Sequence, residues 1–386
     1  MNYPYLYESN ITNATKVDVN TVISDILPLF ESHLAQNFDT IFRLKGSIKK
    51  NFNALVMIGM GGAINSPALL LGLGKNSSFK IHILDTPDPL KNELIKDILV
   101  LKETAFLVIS NSGSTIETLT IAQYWTKEIL VRNLLPRNHF YFILGNNKIS
   151  PLQKLAAIHN CQILPHINFS GRFAIFSNTT VLPAVLADLD VKGFFNGAYD
   201  AIDDLKHNRD FSIMAKSAFD VLYLKHNNML NHVLVAYNSL LTDFLNWKCQ
   251  VIAESLGKEG HGITPIQNSA PQCQHSYFQL YIDGPKDKFF TFFLVDKHIK
   301  DQEIWPTNHT LAKVIETQSS VSYDFFRKNC LPVRKIQIKC LDEYTLGFLT
   351  MHTILETAII AKHLKIDLFN QPGVERIKAA LQASLT

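Results

Sequence analysis

The sequence has few cysteines, and they lack the spacings that cysteine chemistry requires. Its five cysteines form an odd, widely separated set with no CxxC pair (Cys161, Cys249, Cys273, Cys330 and Cys340). A disulfide framework needs cysteines that pair, and a structural zinc site needs ligands at short, regular spacings. We therefore expect a reduced protein without disulfides and without a bound metal.

Charged residues and long apolar runs are also scarce. Only 18% of the 386 residues are charged, against about 25% in a typical soluble chain, and the formal net charge is +3 without a block of lysine or arginine. No apolar run approaches the roughly 18 residues that cross a bilayer, and the first ten residues, MNYPYLYESN, lack the basic and apolar regions of a secretory signal. These absences predict a cytoplasmic protein with neither a nucleic-acid nor a membrane partner.

What the sequence does contain is a series of short apolar runs that end in glycine or small polar residues. In the first half these runs are NALVMIGMGGA, FKIHILDT, TAFLVISNSG and HFYFILGNN, and helix-like segments separate them. Strands that are apolar on both faces and alternate with helices are typical of a parallel sheet covered on both sides. The second half repeats the pattern less regularly, in HVLVAYN, FFTFFLVD and PVRKIQIKC.

These patterns predict an α/β fold of two doubly wound subdomains, each with a central parallel sheet covered by helices. We expect a helical lead-in at residues 1–50, a first subdomain at 51–200, and a second at 201–386 that ends in a C-terminal helix. With 47% hydrophobic residues, the chain can fill one large core or two of medium size.

The segment LVISNSGSTIET (residues 107–118) places four hydroxyl side chains directly after a strand-like run. Ligands of a parallel sheet bind beyond the carboxyl ends of its strands, and a helix that begins near Ser114 or Thr115 would turn unpaired amides toward that edge. An ordinary capping box between Ser114 and Glu117 is the alternative. Because one cap accounts for one hydroxyl only, the segment predicts a phosphate site formed by Ser110, Ser112, Ser114 and Thr115.

A second loop, IGMGGA (residues 58–63), ends the first strand-like run. It lacks the full GxGxxG spacing, and no convincing ribose-binding acid follows it, so it is a weak dinucleotide motif. Gly61 and Gly62 would nevertheless let backbone amides approach a bound sugar.

Together, VMIGMGGA and, about fifty residues later, SNSGSTIET resemble the two halves of a sugar isomerase (SIS) fold, which binds phosphosugars. Four further segments resemble motifs of the phosphoglucose isomerase family: FSGRFAIFSNTTVLPA (169–184), ESLGKEG (254–260), QHSYFQL (274–280) and FNQPGVERIK (369–378). The six motifs occur in the family's order and extend from about residue 50 to residue 380. By this resemblance the chain is identified as a member of the family, with two SIS-like subdomains.

The resemblance implies an aldose–ketose isomerase of glycolysis and gluconeogenesis. Such an enzyme interconverts glucose 6-phosphate and fructose 6-phosphate through a cis-enediol, without a metal or cofactor, and family members are homodimers with shared active sites. The residues implied for substrate binding are Ser110, Ser112 and Thr115 for the phosphate, Glu117 to organise the pocket, and Gly61 and Gly62 along the sugar.

Three residues of the resembling motifs would act on the sugar itself. Arg172 matches the arginine that stabilises the enediolate, a role that suits a fixed guanidinium beside a developing negative charge. A surface salt bridge is the alternative for this residue. Lys378 matches a lysine that is a candidate for protonating the ring oxygen, and Gln371 matches the glutamine contact near it.

The general base is open between two carboxylates. Animal-type members carry a glutamate in a GEPGTNGQH loop, whereas this chain has IQNSAPQCQH (266–275), which contains no carboxylate. The candidates are Glu254 in AESLGK and Asp283 in YIDGP, since the reaction needs a carboxylate within reach of C1 and C2. The ring-opening histidine is likewise open between His298 and His309.

Two other hypotheses remain beside the isomerase. A bifunctional phosphoglucose/phosphomannose isomerase would keep the phosphate site and differ in how it accommodates the C2 epimer. A non-catalytic phosphosugar-binding protein is the second, because the usual glutamate is missing; Arg172 and Lys378 argue against it, since binding phosphate needs neither. Ala63 and Asn111 are further departures, in place of a serine and a lysine often found in the two phosphate-side motifs.

Overall fold

A computed structural model describes residues 3–11, 18–74, 77–145, 149–167, 169–297, 301–304 and 309–385 of the chain. Its strands are β1 (Tyr5–Ser9), β2 (Ala54–Ile58), β3 (Lys80–Leu84), β4 (Thr104–Ser110), β5 (Phe140–Leu144), β6 (Gln162–Pro165), β7 (Asn231–Ala236), β8 (Thr264–Ser269), β9 (Lys288–Val295), β10 (Glu303–Ile304), β11 (His309–Thr310) and β12 (Val333–Ile338). Its helices are α1 (Asn20–Asp25), α2 (Leu27–Leu34), α3 (Asp39–Asn51), α4 (Gly62–Leu71), α5 (Pro89–Ile98), α6 (Ile116–Leu130), α7 (Pro136–His139), α8 (Pro151–Ile158), α9 (Asn178–Leu186), α10 (Val191–Asn208), α11 (Ile213–His226), α12 (Thr242–Leu256), α13 (Phe278–Asp283), α14 (Leu311–Lys328), α15 (Glu343–Leu364) and α16 (Pro372–Leu385).

The chain folds into two compact units. The first unit comprises Ser32–Val191 and Val374–Thr386, and the second unit comprises Met1–Glu31 and Lys192–Gly373. The segment expected as a helical lead-in, residues 1–50, is thus divided between the units, and it contains strand β1 before its helices. β1 pairs antiparallel with β12, with Tyr5 opposite Ile338. A pairing over so long a stretch of chain leaves no local signal, whereas the helix-like spacing of α1 to α3 does.

The first unit is built on a five-stranded, fully parallel sheet with the order β3-β2-β4-β5-β6. Every residue of β4 and β5 is buried, which is why both strands, apart from the two ends of β4, are continuously apolar instead of alternating. The rings of Phe106 and Phe140 stack at 4.7 Å, and the buried indole of Trp125 donates to Asn92 Oδ1 at 3.0 Å. The direction of chain winding reverses between β2 and β4, so their carboxyl ends form the edge at which doubly wound sheets bind ligands.

The second unit contains a sheet with the order β1-β12-β9-β7-β8, in which only β1 is antiparallel to its neighbour. Its winding reverses between β7 and β9. Aromatic side chains of β9 pack on α14, with the rings of Phe290 and Phe326 at 4.8 Å. The predicted α/β fold with helix-flanked parallel sheets is confirmed, and β1 adds one antiparallel edge strand.

Helix α15 is the core helix of the second unit. It is long and apolar enough to cross a bilayer, but 94% of its most apolar stretch is buried inside the protein. Its apolar residues are accordingly distributed around the whole helix, because a helix surrounded by other elements needs no polar face.

Candidate active site

Three hydroxyl groups converge in the turn between β4 and α6. Thr115 Oγ1 lies 3.4 Å from Ser110 Oγ and 3.4 Å from Ser112 Oγ. The turn is closed by its own amides, since Ser110 Oγ accepts from the amide of Gly113 at 3.0 Å and Ser112 Oγ accepts from the amide of Ser114 at 3.3 Å. Ser110 is buried, while Ser112 and Ser114 are exposed. The arrangement directs several hydrogen-bonding groups toward one point at the sheet edge.

Helix α6 begins without a side-chain cap. Its N-cap residue is Thr115, whose side chain makes no capping hydrogen bond, and Ser114 lies one position earlier. The alternative interpretation, a capping box from Ser114 to Glu117, is therefore wrong; Glu117 lies half-buried in the first turn. An N-terminus without a cap presents its positive dipole and its amides to an anion. The hydroxyls of Ser110, Ser112 and Thr115 lie at this same helix start.

The neighbouring helix α8 shows the contrasting case and supports the turn. Its N-cap Ser150 and Gln153 form a complete capping box. Gly113 has a φ of +65°, and a Cβ at this glycine would lie 2.1 Å from Ser150 Oγ. Its carbonyl accepts from the amide of Leu152 at 3.1 Å. The hydroxyl turn is thereby packed directly on a rigid helix start, and only glycine fits at position 113.

The glycine loop after β2 seats the segment that carries Arg172. Gly61 has φ 53° and ψ −126°, a conformation open to glycine alone. A Cβ at Gly62 would lie 2.4 Å from the carbonyl carbon and oxygen of Gly171 and 2.6 Å from the amide nitrogen of Arg172. The start of α4 and the GR motif are therefore in direct backbone contact. Gly59 in turn closes on β4, because a Cβ there would lie 3.0 Å from the carbonyl oxygen of Ile109.

Arg172 is 1% exposed and sits at the start of a 3-10 turn, Gly171–Phe176. Its Nη1 donates to Ser170 Oγ at 3.0 Å, and its guanidinium lies 5.0 Å from the centre of the Phe173 ring. Burial at this level excludes the alternative of an exposed surface salt bridge. The cation is instead held in a fixed orientation, as electrostatic stabilisation of a nearby charge requires.

Asn111 joins the hydroxyl turn to the Arg172 segment. Its Nδ2 donates to the carbonyl oxygen of Phe169 at 3.0 Å, three residues before Arg172. The sequence marks Asn111 only as a departure from the family's usual lysine, and its spacing from Phe169 carries no signal. Within the first unit, the structure thus brings together the hydroxyl turn, the glycine loop and Arg172.

Gly62 gives a direct test of this close packing. Replacing it by alanine should destabilise the protein by about 1–3 kcal/mol, because the methyl group overlaps backbone atoms that have no free rotation. Any activity that depends on the position of Arg172 should fall as well, since Arg172 would be displaced. Thermal unfolding and steady-state kinetics measure the two effects.

The matched control is Gly171→Ala at the other side of the same contact. A Cβ at Gly171 meets no atom within 4 Å, so this variant should unfold at nearly the wild-type temperature. Equal thermal stability of Gly62→Ala and Gly171→Ala would contradict the contact.

Lys378 and Gln371 lie at helix α16. Lys378 Nζ contacts Glu375 Oε1 at 2.9 Å, and both side chains are more than half exposed, at 52% and 61%. Gln371 is half-buried and precedes the first residue of α16, Pro372. Lys378 belongs to the first unit and Gln371 to the end of the second.

The two base candidates lie at helix ends in the second unit. Glu254 is half-buried in the last turn of α12 and accepts from Gln250 Nε2 at 2.8 Å. Asp283 is the last residue of α13, exposed, and accepts from Gln279 Nε2 at 2.8 Å.

Asp243 is a third carboxylate that the motif comparison missed. It lies in the first turn of α12, close after the carboxyl end of β7, at the edge where the second sheet reverses its winding. Burial raises the pKa of Asp243, and a hydrogen bond with Asn246 partly opposes that shift. An acid soon after a strand at the switch point was the available signal.

Of the two histidine candidates, His309 is exposed in β11, and His298 lies outside the described residues. The structure therefore gives no preference between the two histidines, and the assignment stays a prediction.

The hydroxyl turn and the uncapped start of α6 lie at the switch point of a doubly wound sheet, and Asn111 joins them to the segment that carries buried Arg172. These features define the class: a doubly wound α/β protein with a candidate anion site at the edge of its sheet. The particular family follows from comparison with known proteins. The chain matches the phosphoglucose isomerase family over residues 9–315 and belongs to that family, as the motif resemblance predicts.

Relatives with this family's name match over most of the chain. A probable glucose-6-phosphate isomerase of Methanococcus maripaludis is 30% identical, over 92% of this chain and 83% of its own length. The glucose-6-phosphate isomerase of Methanocaldococcus jannaschii is 27% identical over 96% and 94%, respectively. That of Campylobacter jejuni is 28% identical over 86% of each chain.

Solved structures agree on the fold. A hypothetical protein from Thermus thermophilus superposes with a TM-score of 0.83 at 24% identity, over 96% of this chain and 99% of its own. A glucose-6-phosphate isomerase from Chlamydia trachomatis gives a TM-score of 0.81 at 16% identity, over 97% and 76%. At these identities the likeness extends to the fold alone.

Proposed function

We propose that this protein interconverts glucose 6-phosphate and fructose 6-phosphate through a cis-enediol, as an aldose–ketose isomerase without a cofactor. The observation that carries the proposal is the junction of the hydroxyl turn, the glycine loop and buried Arg172 in a chain of the phosphoglucose isomerase family. The substrate is a small phosphosugar. We further propose a cytoplasmic homodimer with a shared active site, acting in glycolysis and gluconeogenesis.

The phosphate is bound by the hydroxyl turn and the start of α6. The hydroxyl oxygens of Ser110 and Ser112 each lie 3.4 Å from Thr115 Oγ1, and Ser114 is exposed beside them. Glu117, half-buried in the first turn of α6, organises the pocket, and the glycine loop after β2, with Gly61 and Gly62, lets the sugar approach the backbone. Neutral hydrogen-bond donors and the dipole of α6 stabilise the negative charge of a phosphate without a metal.

The chemical steps follow from the charges that the reaction develops. Ring opening breaks the bond between C1 and the ring oxygen: Lys378 gives a proton to the ring oxygen, and His298 or His309 takes the proton of the C1 hydroxyl. Gln371 is a substrate contact. A carboxylate, Glu254 or Asp283, then removes the proton from C2 of the open aldose, the hydroxyl proton of O2 passes to O1 on the enediolate, and the carboxylate returns its proton to C1 to give the ketose. Between those transfers the negative charge lies on the enediolate, which the guanidinium of Arg172 stabilises.

Carboxamide variants identify the base. Wild type should turn over fructose 6-phosphate, and the variant that lacks the base, Glu254→Gln or Asp283→Asn, should lose about 10²- to 10⁴-fold in kcat. The other should stay close to wild type. Asp243→Asn is measured in parallel, because Asp243 is a third candidate. It lies at the sheet edge, and burial raises the pKa of its carboxyl group.

Binding of 6-phosphogluconate separates loss of chemistry from loss of the site. It should be unchanged in the base variant, and exposed Glu259 supplies the control Glu259→Gln on the loop after α12. Tight binding with no turnover by wild type would instead identify a phosphosugar-binding protein. Mannose 6-phosphate as a product would identify the bifunctional enzyme.

A further inference from the structure

Lys258, the last residue of the ESLGK segment, is buried against a main-chain turn. It is 8% exposed and follows the C-terminus of α12. Its Nζ donates to the carbonyl oxygen of Asn370 at 2.7 Å, to Asn370 Oδ1 at 2.9 Å, and also to the carbonyl oxygen of Asp367. The three donors of one ammonium group thus meet three oxygens of a single turn, 367–370.

The same turn is held from its other side by its own aspartate. Asp367 Oδ1 accepts from the amide of Phe369 at 2.7 Å and from the amide of Asn370 at 3.3 Å. Amides are therefore fixed by a carboxylate and carbonyls by an ammonium group. This double set of charge-assisted hydrogen bonds restricts the backbone conformation of the turn.

The turn leads directly into Gln371. The carbonyl oxygen of Asn370 belongs to the peptide group that joins Asn370 to Gln371, and α16 begins at the next residue, Pro372. The ring of Pro372 fixes its φ. A displacement of the Asn370 carbonyl would therefore shift Gln371 and the start of α16 as well. Lys258 thus holds the peptide group that directly precedes Gln371, the proposed substrate contact.

Stability alone does not explain a lysine at this position. Removing an ammonium group from water costs free energy, and an apolar side chain fills a buried space without that cost. What the ammonium group provides is a defined position for three oxygens at once. Lys258 therefore serves the geometry of the turn.

We propose that Lys258 is a positioning residue of the active site, which holds the Asp367–Asn370 turn so that Gln371 meets the substrate. The proposal rests on the proposed function, because the contact between Gln371 and the sugar is part of it. Lys258 touches no substrate atom in this account and acts only through the turn.

A double-mutant cycle with Gln371→Ala tests the proposal. Lys258→Met should lower kcat/KM by about ten- to a hundredfold, the range expected for hydrogen bonds to a charged group. The double variant Lys258→Met/Gln371→Ala should lose no more than the worse single variant, since both remove the same contact. Lys258→Arg keeps the charge and the donors and should recover part of the activity.

The controls separate positioning from general stability. Lys362, a half-buried lysine near the same turn, pairs with Asp25 Oδ2 at 2.7 Å, and Lys362→Met should leave kcat/KM within about twofold, as expected for a surface pair. If Lys258→Met fails to fold, Asn370→Ala removes one of the three acceptors and should show the same coupling to Gln371. Melting temperatures are recorded for every variant.

The outcomes are distinct. Losses that multiply in the double variant, or a wild-type rate for Lys258→Met, would overturn the role of Lys258 while leaving the isomerase intact. An inactive wild type would overturn the proposed function and this role with it. Coupled losses with unchanged melting temperatures of the single variants support the role.

Discussion

Arg172→Met should reduce kcat by about 10²- to 10³-fold, the loss typical when a preorganised donor to a developing oxyanion is removed. The guanidinium is buried, bonded to Ser170 and packed over Phe173, so it needs little reorganisation when charge develops on the enediolate. Methionine preserves most of the side-chain volume but neither the charge nor the donors. Steady-state kinetics with fructose 6-phosphate measure the loss.

Two companion variants separate charge from orientation. Arg172→Lys keeps a cation but loses the planar fork, and its activity should lie between those of wild type and Arg172→Met. Ser170→Ala keeps the guanidinium and removes its hydroxyl partner at 3.0 Å, so a smaller loss is expected. A methionine variant that binds 6-phosphogluconate normally and turns over within a few-fold of wild type would rule out the enediolate role.

Glu356→Gln should lower the free energy of unfolding by about 3–5 kcal/mol, because it leaves two buried cations without their counter-charge. Glu356 Oε2 accepts from Lys248 Nζ at 2.8 Å, and Glu356 Oε1 accepts from Arg334 Nη1 at 3.1 Å. All three side chains are buried in the second unit, at the junction of α12, α15 and β12. Urea denaturation of wild type and variant gives the difference.

The control is a partly exposed ion pair between β12, the strand of Arg334, and β1. Lys335, next to Arg334, contacts Glu8 Oε2 at 3.0 Å, and the side chain of Glu8 is 53% exposed. Glu8→Gln should lower the free energy of unfolding by only about 0–1 kcal/mol. Similar losses for Glu356→Gln and Glu8→Gln would show that the buried network contributes no more than a surface pair.

The difference in free energy of unfolding between wild type and Glu356→Gln should become smaller at low pH. Burial by itself would raise the pKa of Glu356, but the charges of Lys248 and Arg334 hold it well below its usual value of 4.5. A carboxylate with a lowered pKa contributes its stability fully above the unfolded value and loses it as the pH falls toward the folded value. The gap between wild type and Glu356→Gln should therefore narrow below about pH 4.5.

The neighbouring histidines add no charge to this network at neutral pH. Burial lowers the pKa of His352 to about 3 and that of His232 well below its usual value. Tyr5 accordingly bonds to the ring of His352, and Thr291 bonds to that of His232 at 2.8 Å. The charges that decide the effect of Glu356→Gln are those of Lys248 and Arg334.

Much of the first unit could be predicted from sequence because its signals are local. β4 and β5 are apolar at every position but their ends, and the hydroxyls of residues 110–115 follow the apolar run of β4 without a gap. Parallel strands bring such strand ends to one edge, so a phosphate site could be expected before any coordinates. Gly61 and Gly62 likewise follow a strand-like run directly, and their strained turn and close contact agree with the tight turn that this position predicts.

The start of α6 shows the limit of local signals. The pattern from Ser114 to Glu117 permits a capping box, yet the helix begins after Thr115 and uses no side-chain cap. The turn before that start packs through Gly113 on Ser150, and no propensity in the segment itself reports on a helix more than thirty residues away.

By itself, the sequence determined the α/β class, the hydroxyl turn, the GR motif and the family, since each depends on periodicity or on residues close together in the chain. Tertiary structure alone decided that β1 joins β12, that Asn111 reaches Phe169, and that Lys258 grips the turn before Gln371. These contacts join residues about 60 to 330 positions apart. Strand order and helix packing create them, and neither leaves a mark in the residues on their own.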